Sequence, residues 1–136
     1  MAEDILVRES LTKEMIEAGA KLLERLDADH YRIVSAFWLF DPEEDPLKWR
    51  LIIASPLVTS EGPRKFYERI LDANLKADAD EPVVSLNDVE VIGADKKLVG
   101  LIRNSISVDS DSESGVRLSR CSFDAMFIED AYVYKV

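Results

Sequence analysis

Tyr31-Arg-Ile-Val-Ser-Ala-Phe-Trp-Leu-Phe40 and, after an eight-residue gap, Trp49-Arg-Leu-Ile-Ile-Ala-Ser55 are the stretches on which the reading of this chain turns. Both are rich in β-branched and aromatic residues. In both, the two alternating faces are largely apolar: in the second, Trp49, Leu51 and Ile53 alternate with Ile52 and Ala54. A strand with one wet face alternates apolar with polar residues, whereas a strand apolar on both faces is covered on both. The two stretches are therefore predicted to lie in the middle of a sheet. Between them, Asp41-Pro-Glu-Glu-Asp-Pro-Leu-Lys48 carries two prolines and an acidic cluster, which marks a loop and joins the strands as an antiparallel hairpin.

On the N-terminal side, Leu11, Met15, Ala18, Gly19, Leu22, Leu23 and Leu26 fall on one stripe at helical spacing, so a helix is predicted over 11–26. Ser10 or Thr12 can cap it. Gly19 inside the stripe costs about 1 kcal/mol relative to alanine, and close approach of another element is the expected compensation. On the C-terminal side, Pro56 to Gly62 reads as a turn, and Pro63 fits the first position of a helix. Phe66, Tyr67, Ile70, Leu71 and Leu75 are expected to form that helix's buried stripe. Val83 to Leu86 and Val89 to Ile92 read as extended, broken at Asn87-Asp88. A short helix follows, with Asp95 as cap and Leu98, Val99, Ile102 and Ile106 as its apolar side. Strand-like segments run over 116–121, 125–128 and 131–136, after a polar stretch from Asp109 to Gly115. The order α-β-β-α-β-α-β-β predicts an α+β fold: a mostly antiparallel sheet packed with two long helices and one short one, in a single domain over 1–136.

Composition narrows the function classes. The chain has 136 residues, 27 acidic and 17 basic, for a net charge of −10 and a pI near 4.6. So negative a surface repels phosphate backbones and disfavours general nucleic-acid binding. One cysteine, Cys121, leaves no internal disulfide framework. With one histidine, His30, a zinc site would depend on carboxylates, and nothing local activates a Cys121–His30 pair. The N-terminus has no basic-then-apolar pattern, and the longest apolar run, Ala36 to Phe40, is far too short to span a bilayer. A cytoplasmic protein without membrane contact is the expectation.

The start of the second long helix is the most suggestive place for a ligand. Ser60, Gly62, Arg64 and Lys65 gather there. Free N–H groups of a helix start favour an anion, while the dipole disfavours the two cations unless an anion lies between them. Residues 31–68 carry six acids and five bases, a net of −1, against −9 for the rest, so this turn lies in the least acidic part. The plain alternative is two solvated side chains leaning on Glu61 and Glu68. Asp41, Glu43, Glu44 and Asp45 could gather a cation, or form a solvated hairpin tip. Asp109-Ser-Asp111-Ser-Glu113 starts like a calcium loop but has Ser114 where glycine is needed and Arg120 at the closing position. A metal-dependent nuclease would want an acid-x-lysine triplet on the second strand, and Asp45 and Lys48 have the wrong spacing. No nucleophile elbow, phosphate loop or dinucleotide fingerprint is present, and no metal, cofactor or catalytic residue is assigned. Trp38 and Trp49 read as core. Tyr132 and Tyr134 share a face of the last strand and, were that strand at a sheet edge, could support pairing with a partner or a second copy.

Two stretches carry a resemblance: Ala36-Phe-Trp-Leu-Phe through Trp49-Arg-Leu-Ile-Ile-Ala-Ser-Pro56 with Gly62-Pro-Arg64, and Ile128-Glu-Asp-Ala-Tyr-Val-Tyr134. They are similar to a family of small bacterial proteins of unknown function. The resemblance implies a bacterial, cytoplasmic, single-domain protein and supplies no activity and no site residues. The expected function is a non-enzymatic protein-interaction domain, through a protein partner or a homodimer. The alternative is an anion or phosphate-ligand binder, or a metal-dependent hydrolase, using residues 60–65.

Overall fold

The first helix, α1 (Lys13–Ala28), begins where the Thr12 side chain accepts from the Met15 N–H, so the capping threonine stands one residue before the helix. The computed structural model of the protein describes residues 11–41, 48–105, 116–123 and 126–135. The cation reading at Asp41–Asp45, the calcium-like stretch at Asp109–Gly115 and the side of Ile106 fall wholly or mostly outside the described residues.

Strands β1 (Ser35–Asp41) and β2 (Lys48–Ala54) form the predicted antiparallel hairpin, in register from Ser35 opposite Ala54 to Asp41 opposite Lys48. Next come α2 (Pro56–Glu61), α3 (Pro63–Leu75), a 3₁₀ turn at Leu86–Asp88, β3 (Val89–Ile92), α4 (Lys97–Ser105), β4 (Val116–Phe123) and β5 (Met126–Lys135). The five strands form one sheet in the order β3-β2-β1-β5-β4. Three pairings are antiparallel; β2 and β3 run parallel, so the sheet is mixed.

Both faces of the hairpin are covered, as its sequence requires. On one face Ala36, Trp38, Phe40, Trp49, Leu51 and Ile53 pack with Ala18, Leu22 and Leu26 of α1 and Phe66, Ile70 and Ala73 of α3. On the other, Phe37 and Ile52 pack with Ala131 and Val133 of β5 and Ile102 of α4. Burying each large side chain contributes about 1.5–3 kcal/mol, so this two-sided core outweighs any single polar contact in the molecule.

Several expectations need correction. The first strand starts at Ser35 rather than Tyr31, because His30 and Arg32 take left-handed backbone angles (φ 61° and 54°), which an extended strand cannot accommodate. Pro56 to Glu61 is a short helix, not a turn: Ser55 accepts from the Leu57 N–H as its cap, and Pro56 occupies the first turn. The two C-terminal strand segments are one strand, β5, and it lies between β1 and β4 rather than at an edge. Leu71 and Leu75 lie on the water side of α3, whose buried line is Phe66, Ile70 and Ala73.

Candidate functional site

Gly62 ends α2 and begins α3. Its φ of 92° is a value that L side chains rarely adopt, which is why glycine stands at this junction. Its N–H donates to the Val58 carbonyl at 3.0 Å. Among the described residues no side chain caps α3, and no acid lies in its first turn. Pro63 has no N–H, so the Arg64 and Lys65 amides are the donors left at the helix start. Both of those side chains are exposed, as is Ser60, whose hydroxyl donates to the Leu57 carbonyl at 3.5 Å. Backbone continuity thus brings Gly62, Arg64 and Lys65 into one turn, with Ser60 in the turn before.

Glu61, a neighbour that could have neutralised these cations, is turned elsewhere. Its carboxylate meets Arg69 at 2.5 Å. The Arg69 guanidinium also lies over the Tyr31 ring, 4.6 Å from its centre, and Tyr31 in turn meets Phe66 edge-on. The Tyr31 carbonyl accepts from the buried Ser55 hydroxyl at 3.0 Å, and its N–H donates to the Leu26 carbonyl at 3.1 Å. The kinked segment between α1 and β1 is therefore fastened at three points. Sequence reading missed this cluster, because Glu61 and Arg69 belong to two different helices and no spacing along one helix links them.

Tyr132 and Tyr134 share a face of β5, as expected, and their rings meet edge-on with centres 5.3 Å apart. That face belongs to the helix-covered core. The Tyr134 hydroxyl accepts from the Trp38 indole N–H at 2.8 Å and donates to the Ile16 carbonyl of α1 at 2.6 Å. Burial pushes the Tyr134 phenol well above its ordinary value, against the opposing pull of the Trp38 hydrogen bond. The close approach anticipated at Gly19 is this hydroxyl. A Cβ at Gly19 would lie 3.0 Å from Tyr134 Cζ, 3.2 Å from Trp38 Nε1 and closer still to the Tyr134 oxygen.

At the far end of α1, Arg25 donates to Glu81 at 2.5 Å, and Glu81 also accepts from the Asp78 N–H at 3.2 Å. The Arg25 hydrogen bond, with that of Asp78, holds the Glu81 carboxyl below its ordinary range. Lys76 meets Asp29 at 2.9 Å beside it, so one ion pair joins the C-terminal ends of α1 and α3 and the other joins α1 to the segment that follows α3.

Among the described residues, no group of three or more His, Cys, Asp or Glu side chains is gathered as a metal site would need, and no helix is long and apolar enough to cross a membrane. No protein-family model matches the chain, and no curated protein or solved structure is detectably similar to it.

Large apolar side chains do reach water on one helix. Leu75 is 82% exposed, Leu71 one turn before it 48%, and Val83 47%. The Asn74 amide donates to the Val84 carbonyl at 3.0 Å, which holds the segment bearing Val83 against the last turn of α3.

Proposed function

We propose that this chain is a non-enzymatic protein-interaction domain acting in the cytoplasm, with the outer side of α3 as its contact surface. The exposed set Leu71, Leu75 and Val83 carries this reading. Single exposed leucines are ordinary, but two at i, i+4 spacing on a helix, with a valine on the segment tied to it, form the apolar centre that protein contacts use. The partner is another protein or a second copy. Leu75→Glu is expected to abolish association while leaving folding stability within about 0.5 kcal/mol, because the side chain is already in water. Sedimentation velocity reads self-association, and a photoreactive residue at position 75, with position 72 as control, reads partners in extracts of the source cells. Equal cross-linking from both positions, together with unchanged sedimentation of the leucine variant, would rule the surface out.

A second reading is favoured by a separate observation: α3 has no side-chain cap, and Arg64 and Lys65 extend into water beside its free amides. An anion there would satisfy the N–H groups and offset two cations that the helix dipole disfavours. Phosphate, sulfate and nucleotides titrated against the wild type and Arg64→Ala test it; equal affinities would remove it. The metal-dependent hydrolase form of this reading gains no group of three or more His, Cys, Asp or Glu side chains among the described residues.

A further inference from the structure

Among the described residues, strand β3 has one strand neighbour, β2, and its other side faces α3. The main-chain groups on that outer side can be followed one at a time. Along a strand, successive residues point their N–H and C=O groups to opposite sides. Ile92 points towards β2, since its carbonyl accepts from the Ser55 N–H at 3.1 Å. Glu90 shares that side, so Val89 and Val91 point outward. The Val89 N–H donates to the Leu86 carbonyl of the 3₁₀ turn. The Val89 carbonyl accepts from the Tyr67 hydroxyl at 3.3 Å, and the Val91 N–H donates to the same oxygen at 3.2 Å.

One phenol oxygen therefore does for β3 what an adjoining strand's main chain would do: it gives a proton to a carbonyl and takes one from an amide. Three of the four outward groups of Val89 and Val91 are thus bonded, the fourth being the Val91 carbonyl. Unpaired edges recruit further strands, and proteins block them with side chains or covering helices. Here the device sits on the covering helix. Tyr67 lies next to the buried Phe66, its ring packs against the core, and its length carries the hydroxyl to the strand. Phenylalanine would keep that packing and lose the bonds.

We propose that Tyr67 is a seal that closes the β3 end of the sheet to strand addition, in the first place by the β3 strand of a second copy. The seal is separate from the α3 contact surface along the helix, since Tyr67 stands eight residues, about 12 Å, before Leu75.

Amide hydrogen exchange by NMR, with sedimentation velocity on the same samples, tests this on the intact chain. In the wild type the Val91 amide is expected to be as protected as the inward amides of Glu90 and Ile92. In Tyr67→Phe its exchange is expected to quicken about tenfold, the equivalent of one ordinary net hydrogen bond, with Glu90 and Ile92 unchanged. The variant is also expected to self-associate with rising concentration beyond any association of the wild type, and Val91 to regain protection as it does so. A freely exchanging Val91 in the wild type overturns the proposal and needs no variant to fold. Unchanged Val91 exchange in the variant overturns it as well. So does a variant whose Val91 opens but which sediments like the wild type at every concentration, because the bond would then guard nothing.

Discussion

Replacing Gly19 by alanine sets two effects of opposite sign against each other. In an exposed helix the change would stabilise the fold by about 1 kcal/mol through backbone propensity. Here the new methyl group would stand 3.0 Å from Tyr134 Cζ and 3.2 Å from Trp38 Nε1, and closer to the Tyr134 hydroxyl. Either α1 lifts from the sheet or Tyr134 withdraws. Withdrawal breaks the bond to the Ile16 carbonyl and the bond from the Trp38 indole, and leaves that N–H unpaired in a residue only 1% exposed. Overpacking costs about 1–3 kcal/mol and a stranded buried donor about 1–3 kcal/mol. The losses exceed the propensity gain, and a net destabilisation of about 2–3 kcal/mol is expected. Urea unfolding followed by the fluorescence of Trp38 and Trp49 measures it. The decisive control is Tyr134→Phe. Alone it should destabilise, since it strands the same indole N–H. Combined with Gly19→Ala it should cost clearly less than the two single changes added together, because the closest contact, the hydroxyl oxygen, is gone while those to Cζ and Trp38 Nε1 remain. A neutral or stabilising Gly19→Ala, or a cycle whose two effects simply add, would refute the account of this glycine.

Three further outcomes follow from the same structure. The Tyr134 phenol is pushed upward in the folded state, so the stability tied to its neutral form is complete below its ordinary value of 10.0 and is lost as pH rises beyond it; Tyr134→Phe, though less stable at neutral pH, should lose less on going from pH 9 to 11. The Glu81 carboxyl is held below its ordinary 4.5, so its contribution is present above that value and fades as pH falls beneath it; Glu81→Gln should flatten the acid limb of the stability curve, and an unchanged limb would discount the Arg25–Glu81 pair. Gly62→Ala meets open space yet must adopt φ 92°, so a loss of about 1–2 kcal/mol in urea unfolding is expected from backbone strain alone.

Much of this was legible because local signals and burial agree. Both faces of 35–40 and 49–54 are apolar, and both faces are covered. Thr12 and Pro63 mark helix starts through chemistry confined to one turn. What failed to show depends on distant partners or on geometry finer than hydrophobicity. The parallel pairing of β2 with the four-residue β3 is set by the path of α2 and α3 between them, which no local pattern encodes. On α3 the largest apolar residues suggested the stripe, whereas the helical line through Phe66 and Ile70 runs on to Ala73 and leaves Leu71 and Leu75 outside it. The interior position of β5 was within reach: Ala131 and Val133 alternate with Tyr132 and Tyr134, the same two-faced pattern that identified the central hairpin. At the anion-binding candidate, the helix start at Pro63 was legible in the sequence, but not the withdrawal of Glu61 to Arg69, which depends on a contact between two helices.

That interior position also decides between the two surfaces to which a protein contact can be assigned. For a partner to use the Tyr134 hydroxyl, it must first break two hydrogen bonds and strand the Trp38 donor, which costs about 1–3 kcal/mol before any new contact forms. Tyr132 stands edge-on against it and would be drawn into the same rearrangement. Leu75 faces the opposite arithmetic. It is in water already, breaks nothing when covered, and returns up to about 1.5–3 kcal/mol on full burial. The difference between the two routes is therefore several kcal/mol in favour of α3. A partner that selects this protein by its aromatic strand would have to reorganise the core, whereas one that selects it by Leu71, Leu75 and Val83 meets the surface in its resting form.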